Sequence, residues 1–242
     1  MRVKICGIQN EHDLDTAVRA GADAIGFMVG QIHKSTRFIL PSTAARLGKR
    51  LPPYVSPVIV THLTDAESIM DIISHSSIYT VQLHGCSFEE MAKLRQMMPE
   101  NGKIILAAYL DDEGKVPDIQ EFYPYISAVM LDCYNLEPAF IGLEEPRKEY
   151  RWNAAAEFTA SCPLPVIIGG GLTPENVTEA VKTIRPFGVD SCAGTKGGPD
   201  STDPDETSRE KCRSFVRNAK SAAFDITPAG TCILERKHPV AQ

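Results

Sequence analysis

The chain has 242 residues, of which 43% are hydrophobic and 23% are charged, and these shares exclude a disordered or fibrous protein. The formal net charge of −6 argues against broad nucleic-acid binding, which usually requires a basic face. The charge does not exclude a small anionic ligand, because a few backbone N–H groups and one or two arginines bind a phosphate locally.

The N-terminus and the seven cysteines predict a cytoplasmic protein. The first apolar stretch, Ile5–Ile8, is interrupted by Gly7 and followed by acidic residues, which is not the pattern of a signal peptide. No apolar run reaches the roughly 18 residues expected of a transmembrane helix. The cysteines are odd in number and include no Cys-x-x-Cys pair, so we expect reduced thiols and neither a disulfide scaffold nor a zinc site.

Short apolar runs alternate with segments of helical pattern along the chain. The runs are continuously apolar, as expected for parallel strands that are buried on both faces. The predicted strands are Val3–Cys6, Ala24–Val29, Ser56–Val60, Tyr79–Leu83, Ile104–Leu110, Ala128–Asp132, Pro165–Ile168 and Val189–Ala193. The predicted helices are Glu11–Ala20, Pro41–Arg50, Ala66–Ser74, Ser87–Met98, Trp152–Ala160, Pro174–Ile184 and Asp205–Ala219, and a less regular segment follows the fifth strand.

The chain contains eight such strand–helix units, and its composition does not change along the sequence as it would at the start of a second domain. This pattern predicts a single closed (β/α)8 TIM barrel. The alternative is an open doubly wound sheet, but no Gly-x-Gly-x-x-Gly motif follows the first strand. We expect the barrel to occupy residues 1–219 and residues 220–242 to form a C-terminal extension. Asn135–Arg151 and Thr195–Thr207 are predicted to be loops.

In a barrel of this kind the reactive groups lie at the carboxyl ends of the strands. Gly170 and Gly171 follow the seventh predicted strand, and Ala193 and Gly194 lie at the end of the eighth. Small residues let the backbone approach an anion closely, so the two turns together predict a phosphate site. The alternative interpretation of the glycines is a tight strand-to-helix turn without a ligand.

Two reactive side chains end other predicted strands. Cys6 ends the first strand, and Asp132 ends the sixth after an apolar run. A buried carboxyl is costly unless it has a partner or a task, and a thiolate and a carboxylic acid across the barrel mouth would form an acid–base pair. The alternatives are a small buried residue for Cys6 and a helix cap for Asp132.

Three further side chains are candidates for substrate binding. Arg37 has the planar guanidinium that suits a carboxylate, although a solvated surface arginine is the alternative. Gln82 and His84 lie at the end of the fourth strand, where a purely structural hydrogen bond is equally plausible. The six histidines show no metal-ligand spacing, so we expect no metal.

Five segments occur in order and with sensible spacing between Met1 and about Ala219: Lys4–Ile8, Gly21–Phe27, Val81–Gly85, Leu131–Asp132 and Gly169–Val177. Together they closely resemble the phosphoribosylanthranilate isomerase family of tryptophan biosynthesis. The resemblance implies a (β/α)8 barrel without cofactor or metal. It also implies an Amadori rearrangement of N-(5-phosphoribosyl)anthranilate to 1-(2-carboxyphenylamino)-1-deoxyribulose 5-phosphate.

The resemblance further implies roles for individual residues. Cys6 would be the general base that removes the proton from C2 of the sugar, and Asp132 would be the general acid that protonates the ring oxygen. Arg37 would hold the anthranilate carboxylate, and the turns at Gly170–Gly171 and Ala193–Gly194 would hold the phosphate. The expected partner is a small phosphosugar, with no nucleic acid and no membrane, and the oligomeric state stays open.

The chain departs from the family pattern around this site. The usual Ser-Pro-Arg is here Ser35-Thr36-Arg37, and the usual Ser-Ser-Gly-Val-Glu after the eighth strand is here the segment Cys192–Lys196. The usual glycine-rich loop after the sixth strand is here the charged segment Ile141–Arg151. Two alternatives therefore stay open: a paralogue that isomerises a different phosphoribosyl amine, and a non-catalytic barrel that binds a phosphate ligand.

Overall fold

The structure, a computed structural model, describes residues 1–32, 36–110, 115–132, 152–197 and 203–224. Its parallel strands are β1 (Arg2–Cys6), β2 (Ala24–Met28), β3 (Ser56–Thr61), β4 (Thr80–His84), β5 (Lys103–Tyr109), β6 (Ala128–Asp132), β7 (Val166–Gly169) and β8 (Gly188–Ser191). Each strand pairs with its neighbours in the sequence, and β8 pairs with β1, so the sheet closes into a barrel. The predicted single barrel is confirmed, and the open sheet is wrong.

Helices follow the strands along the chain. They are α1 (Glu11–Arg19), α2 (Pro41–Gly48), α3 (Ala66–Ser76), α4 (Phe88–Met97), α5 (Trp152–Ser161), α6 (Val177–Ile184) and α7 (Arg209–Phe224). The segment after β5 contains a short 3-10 helix, Gln120–Phe122, in agreement with its weaker helical pattern. Another short 3-10 helix, Ala193–Thr195, follows β8, so this strand ends two residues earlier than predicted.

Helices α6 and α7 begin several residues later than predicted, because local hydrogen bonds form turns before them. The Asn176 side chain accepts the Thr173 N–H at 2.8 Å, and α6 begins only after this turn rather than at Pro174. The Asp203 carboxylate accepts the Asp205 N–H at 2.8 Å, and α7 begins at Arg209 instead of Asp205. Helix α7 also continues past the predicted boundary at 219, whereas residues 225–242 of the predicted extension lie outside the described residues.

The strands separate two apolar layers because successive side chains point to opposite faces. One face of each strand packs against the helices, with Ile5, Phe27 and Leu83 fully buried there. The other face fills the barrel interior with a second cluster that includes Cys6 and Met130. Cys6 is therefore an interior side chain at the carboxyl end of β1. Among the described residues, no helix is long and apolar enough to cross a membrane.

Candidate active site

Two cysteines lie side by side where the barrel closes. The pairing of β1 with β8 sets Ile5 beside Ser191, and Cys6 and Cys192 are the next residues along the two chains. Cys192 packs against the interior cluster that contains Cys6, and the two side chains are hydrogen-bond partners. Gly26 makes room for this pair, because a Cβ at that position would lie 2.6 Å from the Cys6 Sγ. Cys192 was not among the predicted site residues, although the closure of any (β/α)8 barrel brings its last strand beside its first.

The negative charge of the thiol pair is held on Cys192. The hydrogen bond from Cys6, together with the positive charges of Arg37 and Lys196, lowers the pKa of Cys192 to about 7, against the opposing effects of burial and of the Asp190 charge. The same hydrogen bond, together with burial, raises the pKa of Cys6 well above its ordinary value, and Lys4 only partly opposes this. Of the two sulfur atoms, Cys192 is therefore the one that loses its proton first as the pH rises through neutrality.

The structure brings Arg37 to the same end of the barrel. Its Nη1 lies 3.7 Å from the Cys192 Sγ, and its Nε donates to Asp205 Oδ1 at 2.8 Å. Its side chain also lies over Gly7, where an added Cβ would approach the Arg37 Cδ to 3.3 Å. Asp205 was not predicted, because 168 residues separate it from Arg37 and no local pattern indicates the contact.

A buried ion pair lies beneath this cluster. Lys196 Nζ donates to the Gly7 carbonyl oxygen at 2.6 Å and to Thr207 Oγ1 at 2.7 Å, and it lies 3.6 Å from Asp13 Oδ2. Asp13 Oδ1 accepts the Thr207 N–H at 2.9 Å. Both charged side chains are only 1% exposed. The pair joins the segment after β8 to the start of α1 and to the backbone that follows Cys6.

A polar network crosses the barrel interior below the mouth. Lys4 Nζ lies 3.1 Å from Asp190 Oδ2 and donates to Gln82 Oε1 at 2.5 Å. Gln82 Nε2 lies 2.8 Å from His84 Nε2, and His84 Nδ1 is bonded to the Tyr109 hydroxyl. The amide of Gln82 is thus used inside the protein, whereas His84 lies nearer the rim. Substrate binding by Gln82 and His84 stays a prediction.

Asp132 is buried at the end of β6, and its charge acts on two groups of this network. Burial and the negative charge of Asp132 raise the pKa of Asp190, and the positive charge of Lys4 opposes both effects. Burial and Asp132 also raise the pKa of Tyr109. Asp190 in turn raises the pKa of Cys6. Asp132 and Cys6 therefore belong to one electrostatically connected site, on strands separated by β7 and β8.

The two predicted phosphate turns pack against each other. Gly170 and Gly171 have φ angles of 78° and 66°, the left-handed region that glycine adopts without strain. Gly194 lies in the short helix Ala193–Thr195, and a Cβ on it would lie 2.0 Å from the Leu172 carbonyl oxygen. The missing side chains therefore allow the segments after β7 and β8 to form one continuous backbone surface, as a shared phosphate site requires.

Some sequence-based expectations concern residues outside the described ranges. These are Ser35 before Arg37, and the predicted loop Asn135–Arg151 with its charged segment Ile141–Arg151. Within the described ranges, no three His, Cys, Asp or Glu side chains are grouped so that they could hold a metal ion.

Comparisons with known proteins agree with the fold and with the resemblance. The sequence profile of the N-(5'-phosphoribosyl)anthranilate (PRA) isomerase family matches residues 3–200. N-(5'-phosphoribosyl)anthranilate isomerase 2 of Methanosarcina mazei is 35% identical over 227 residues, which are 93% of this chain and 97% of that protein. The Thermotoga maritima protein named N-(5'-phosphoribosyl)anthranilate isomerase is 33% identical over 220 residues, or 91% of this chain and 98% of that one.

Solved structures show the same similarity. The crystal structure of phosphoribosyl anthranilate isomerase from Thermotoga maritima superimposes with a TM-score of 0.73 at 31% identity, covering 91% of this chain and 99% of that one. A phosphoribosyl anthranilate isomerase crystallised with reduced 1-(o-carboxyphenylamino)-1-deoxyribulose 5-phosphate has a TM-score of 0.70 at 30% identity, with the same coverage.

Proposed function

Because the chain belongs to the N-(5'-phosphoribosyl)anthranilate isomerase family, we propose that it converts N-(5-phosphoribosyl)anthranilate to 1-(2-carboxyphenylamino)-1-deoxyribulose 5-phosphate. The observation that carries this proposal, in a chain of this family, is that Cys6 and Asp132 lie at the carboxyl ends of β1 and β6 while Arg37 contacts Cys192, the neighbour of Cys6. The reaction is an Amadori rearrangement, which needs only proton transfers and therefore suits a thiol and a carboxyl group.

Asp132 acts first, as the general acid. It donates a proton to the ring oxygen of the ribose, the bond between that oxygen and C1 breaks, and a protonated Schiff base forms between C1 and the nitrogen. Asp132 is buried at the end of β6, so bulk water is kept away from the carboxyl group that donates the proton.

Cys6 acts second, as the general base. The positive Schiff base acidifies C2, so a thiolate is basic enough to remove the C2 proton. The C2–H electron pair then forms the C1=C2 bond and neutralises the nitrogen. Tautomerisation of this enaminol adds a proton to C1, removes one from the C2 hydroxyl and yields the amino ketose.

Arg37 and the two glycine turns hold the ends of the substrate. The Arg37 guanidinium binds the anthranilate carboxylate, and Asp205 orients the guanidinium by accepting its Nε–H at 2.8 Å. The turns at Gly170–Gly171 and Ala193–Gly194 bind the phosphate through backbone N–H groups. Because the overall charge is −6, binding of a polyanion depends on these local groups rather than on a general attraction.

The test is an isomerase assay with N-(5-phosphoribosyl)anthranilate made in situ, in which loss of substrate fluorescence is followed. The wild-type chain is expected to isomerise the substrate at a rate well above background. Cys6→Ala and Asp132→Asn should lower that rate roughly 10²- to 10⁴-fold, the usual contribution of a general acid or base. Cys162→Ser, a buried thiol after α5 and away from the mouth, is the control.

Each other outcome has a defined meaning. Wild-type protein at background would refute the function, and a Cys6→Ala rate equal to wild type would refute the role of Cys6. Turnover of another phosphoribosyl amine alone would favour the paralogue, and phosphosugar binding without turnover would favour the non-catalytic barrel.

A further inference from the structure

Cys6 must lose its own proton before it can act as the general base. A thiolate is the reactive form, yet the Cys6 thiol donates its hydrogen bond to Cys192. Cys192 is in turn contacted by the Arg37 guanidinium at 3.7 Å. The strong base and the site of negative charge are thus two different sulfur atoms, joined by one hydrogen bond.

We propose that Cys192 is the proton partner of Cys6: it takes up the Cys6 proton when substrate binds, and so converts Cys6 into the thiolate that attacks the C2 proton. Cys192 is then a positioning residue for the reaction, because it acts through Cys6. This inference deepens the proposed isomerase function and rests on it. The family resemblance does not supply it, since a serine is usual at this position.

The proton balance of the step is simple. In the singly ionised pair Cys6 carries the proton and Cys192 the negative charge, and transfer of the proton across the hydrogen bond moves the negative charge to Cys6. Cys6 then removes the proton from C2, the C2–H bond breaks, its electron pair forms C1=C2, and an S–H bond forms on Cys6. Both sulfur atoms are now protonated, and one proton returns through solvent to replace the one that Asp132 donated to the ring oxygen.

The charged groups around the pair explain why substrate would trigger the exchange. Arg37 and Lys196 lie on the Cys192 side, whereas the charge of Lys4 beside Cys6 is balanced by Asp190 at 3.1 Å. A substrate carboxylate bound to Arg37 would neutralise the cation that touches Cys192. The negative charge would then be less stable on Cys192, and the proton would move to it from Cys6.

The first test compares pH profiles of kcat/KM, which report ionisations of the free enzyme. The wild-type kcat/KM should rise with pH, and the midpoint of this acid limb should lie at about 7, the pKa of Cys192. Cys192→Ser keeps the size of the side chain but cannot hold the charge. Its limb should move up toward the ordinary thiol value of ~8.5, with roughly a tenfold loss at pH 7 and activity retained at high pH.

A merely structural role for Cys192 would not move this limb. An unchanged limb in Cys192→Ser, with full kcat/KM at pH 7, would overturn the inference. Cys162→Ser is the matched control and should keep the wild-type profile. Cys192→Ala is the second variant, which also removes the hydrogen-bonding group, and its limb should shift in the same direction.

A second readout does not depend on turnover. Trypsin places Cys6 in the peptide 5–19 and Cys192 in the peptide 183–196, so the alkylation of each by iodoacetamide is followed separately by mass spectrometry. The rate at Cys192 should rise through a midpoint near 7 in wild type and through a higher midpoint in Cys6→Ala. An inactive wild type would refute the proposed function, whereas an active wild type without these shifts would refute only the proton partnership.

Discussion

The buried pair of Asp13 and Lys196 allows a sharp test of how the mouth is held together. Asp13→Asn keeps the shape of the side chain and an oxygen for the Thr207 N–H, which Asp13 accepts at 2.9 Å. The substitution removes the negative charge 3.6 Å from the Lys196 ammonium, in a place where both side chains are 1% exposed. Lys196 would then keep its hydrogen bonds to Gly7 and Thr207 but lose its counterion.

The magnitude follows from the burial. Removing one partner of a buried ion pair typically costs about 3–5 kcal/mol, because the remaining charge stays uncompensated in a poorly polarisable environment. A chain of this size loses ~2–4 °C of melting temperature per kcal/mol, so Asp13→Asn should lower the melting temperature by roughly 6–20 °C. Asp15→Asn, on the exposed face of the same helix, should stay within about 0.5 kcal/mol of wild type.

The assays are thermal and urea unfolding followed by circular dichroism, with the melting temperature, the urea midpoint and the urea slope compared between the variants. The double variant Asp13→Asn/Lys196→Met removes both charges and should recover a large part of the loss, because no isolated buried charge remains. A midpoint for Asp13→Asn equal to that of Asp15→Asn would refute the assignment of a dry ion pair at this position. A double variant as unstable as the sum of both single variants would refute the coupling.

Two further predictions concern ligand binding. Asp205→Asn should raise the substrate KM roughly tenfold with little change in kcat, because Arg37 loses a charge-assisted hydrogen bond that orients its guanidinium; steady-state kinetics measure this. Gly194→Ala should weaken competitive inhibition by inorganic phosphate more than tenfold, since the new Cβ would lie 2.0 Å from a carbonyl oxygen of the neighbouring turn and push the two turns apart.

Both predictions have controls on the chain. Glu206→Gln changes an adjacent acid whose side chain pairs with exposed His12 and should leave KM unchanged. Gly85→Ala adds a Cβ that meets no atom within 4 Å, so it adds backbone strain at φ 91° without a clash and should leave phosphate inhibition near wild type. A fall in kcat that exceeds the rise in KM for Asp205→Asn would contradict the first argument. Unchanged phosphate inhibition in Gly194→Ala would contradict the second.

The amino-acid sequence by itself was sufficient for the barrel and for the strand-end positions of Cys6 and Asp132. Parallel strands buried on both faces are continuously apolar, and this local signal does not depend on the partner strand. Helix starts depend more on local side-chain contacts: Ser87 caps α4 by accepting the Glu90 N–H, whereas Thr173 begins a turn that delays α6. Here a side-chain hydrogen bond within the turn competes with the first turn of the helix.

Only the tertiary structure decided how the site is charged. The contact of Lys196 with Gly7 spans 189 residues and that of Arg37 with Asp205 spans 168, so no periodicity or motif indicates them. They exist because β8 closes the sheet against β1 and brings the last loop of the barrel over the first strand. The same closure sets Cys192 beside Cys6. The sequence thus determined the strand-end positions of Cys6 and Asp132. The closed barrel determined which distant groups surround Cys6 and which of the two sulfur atoms loses its proton first.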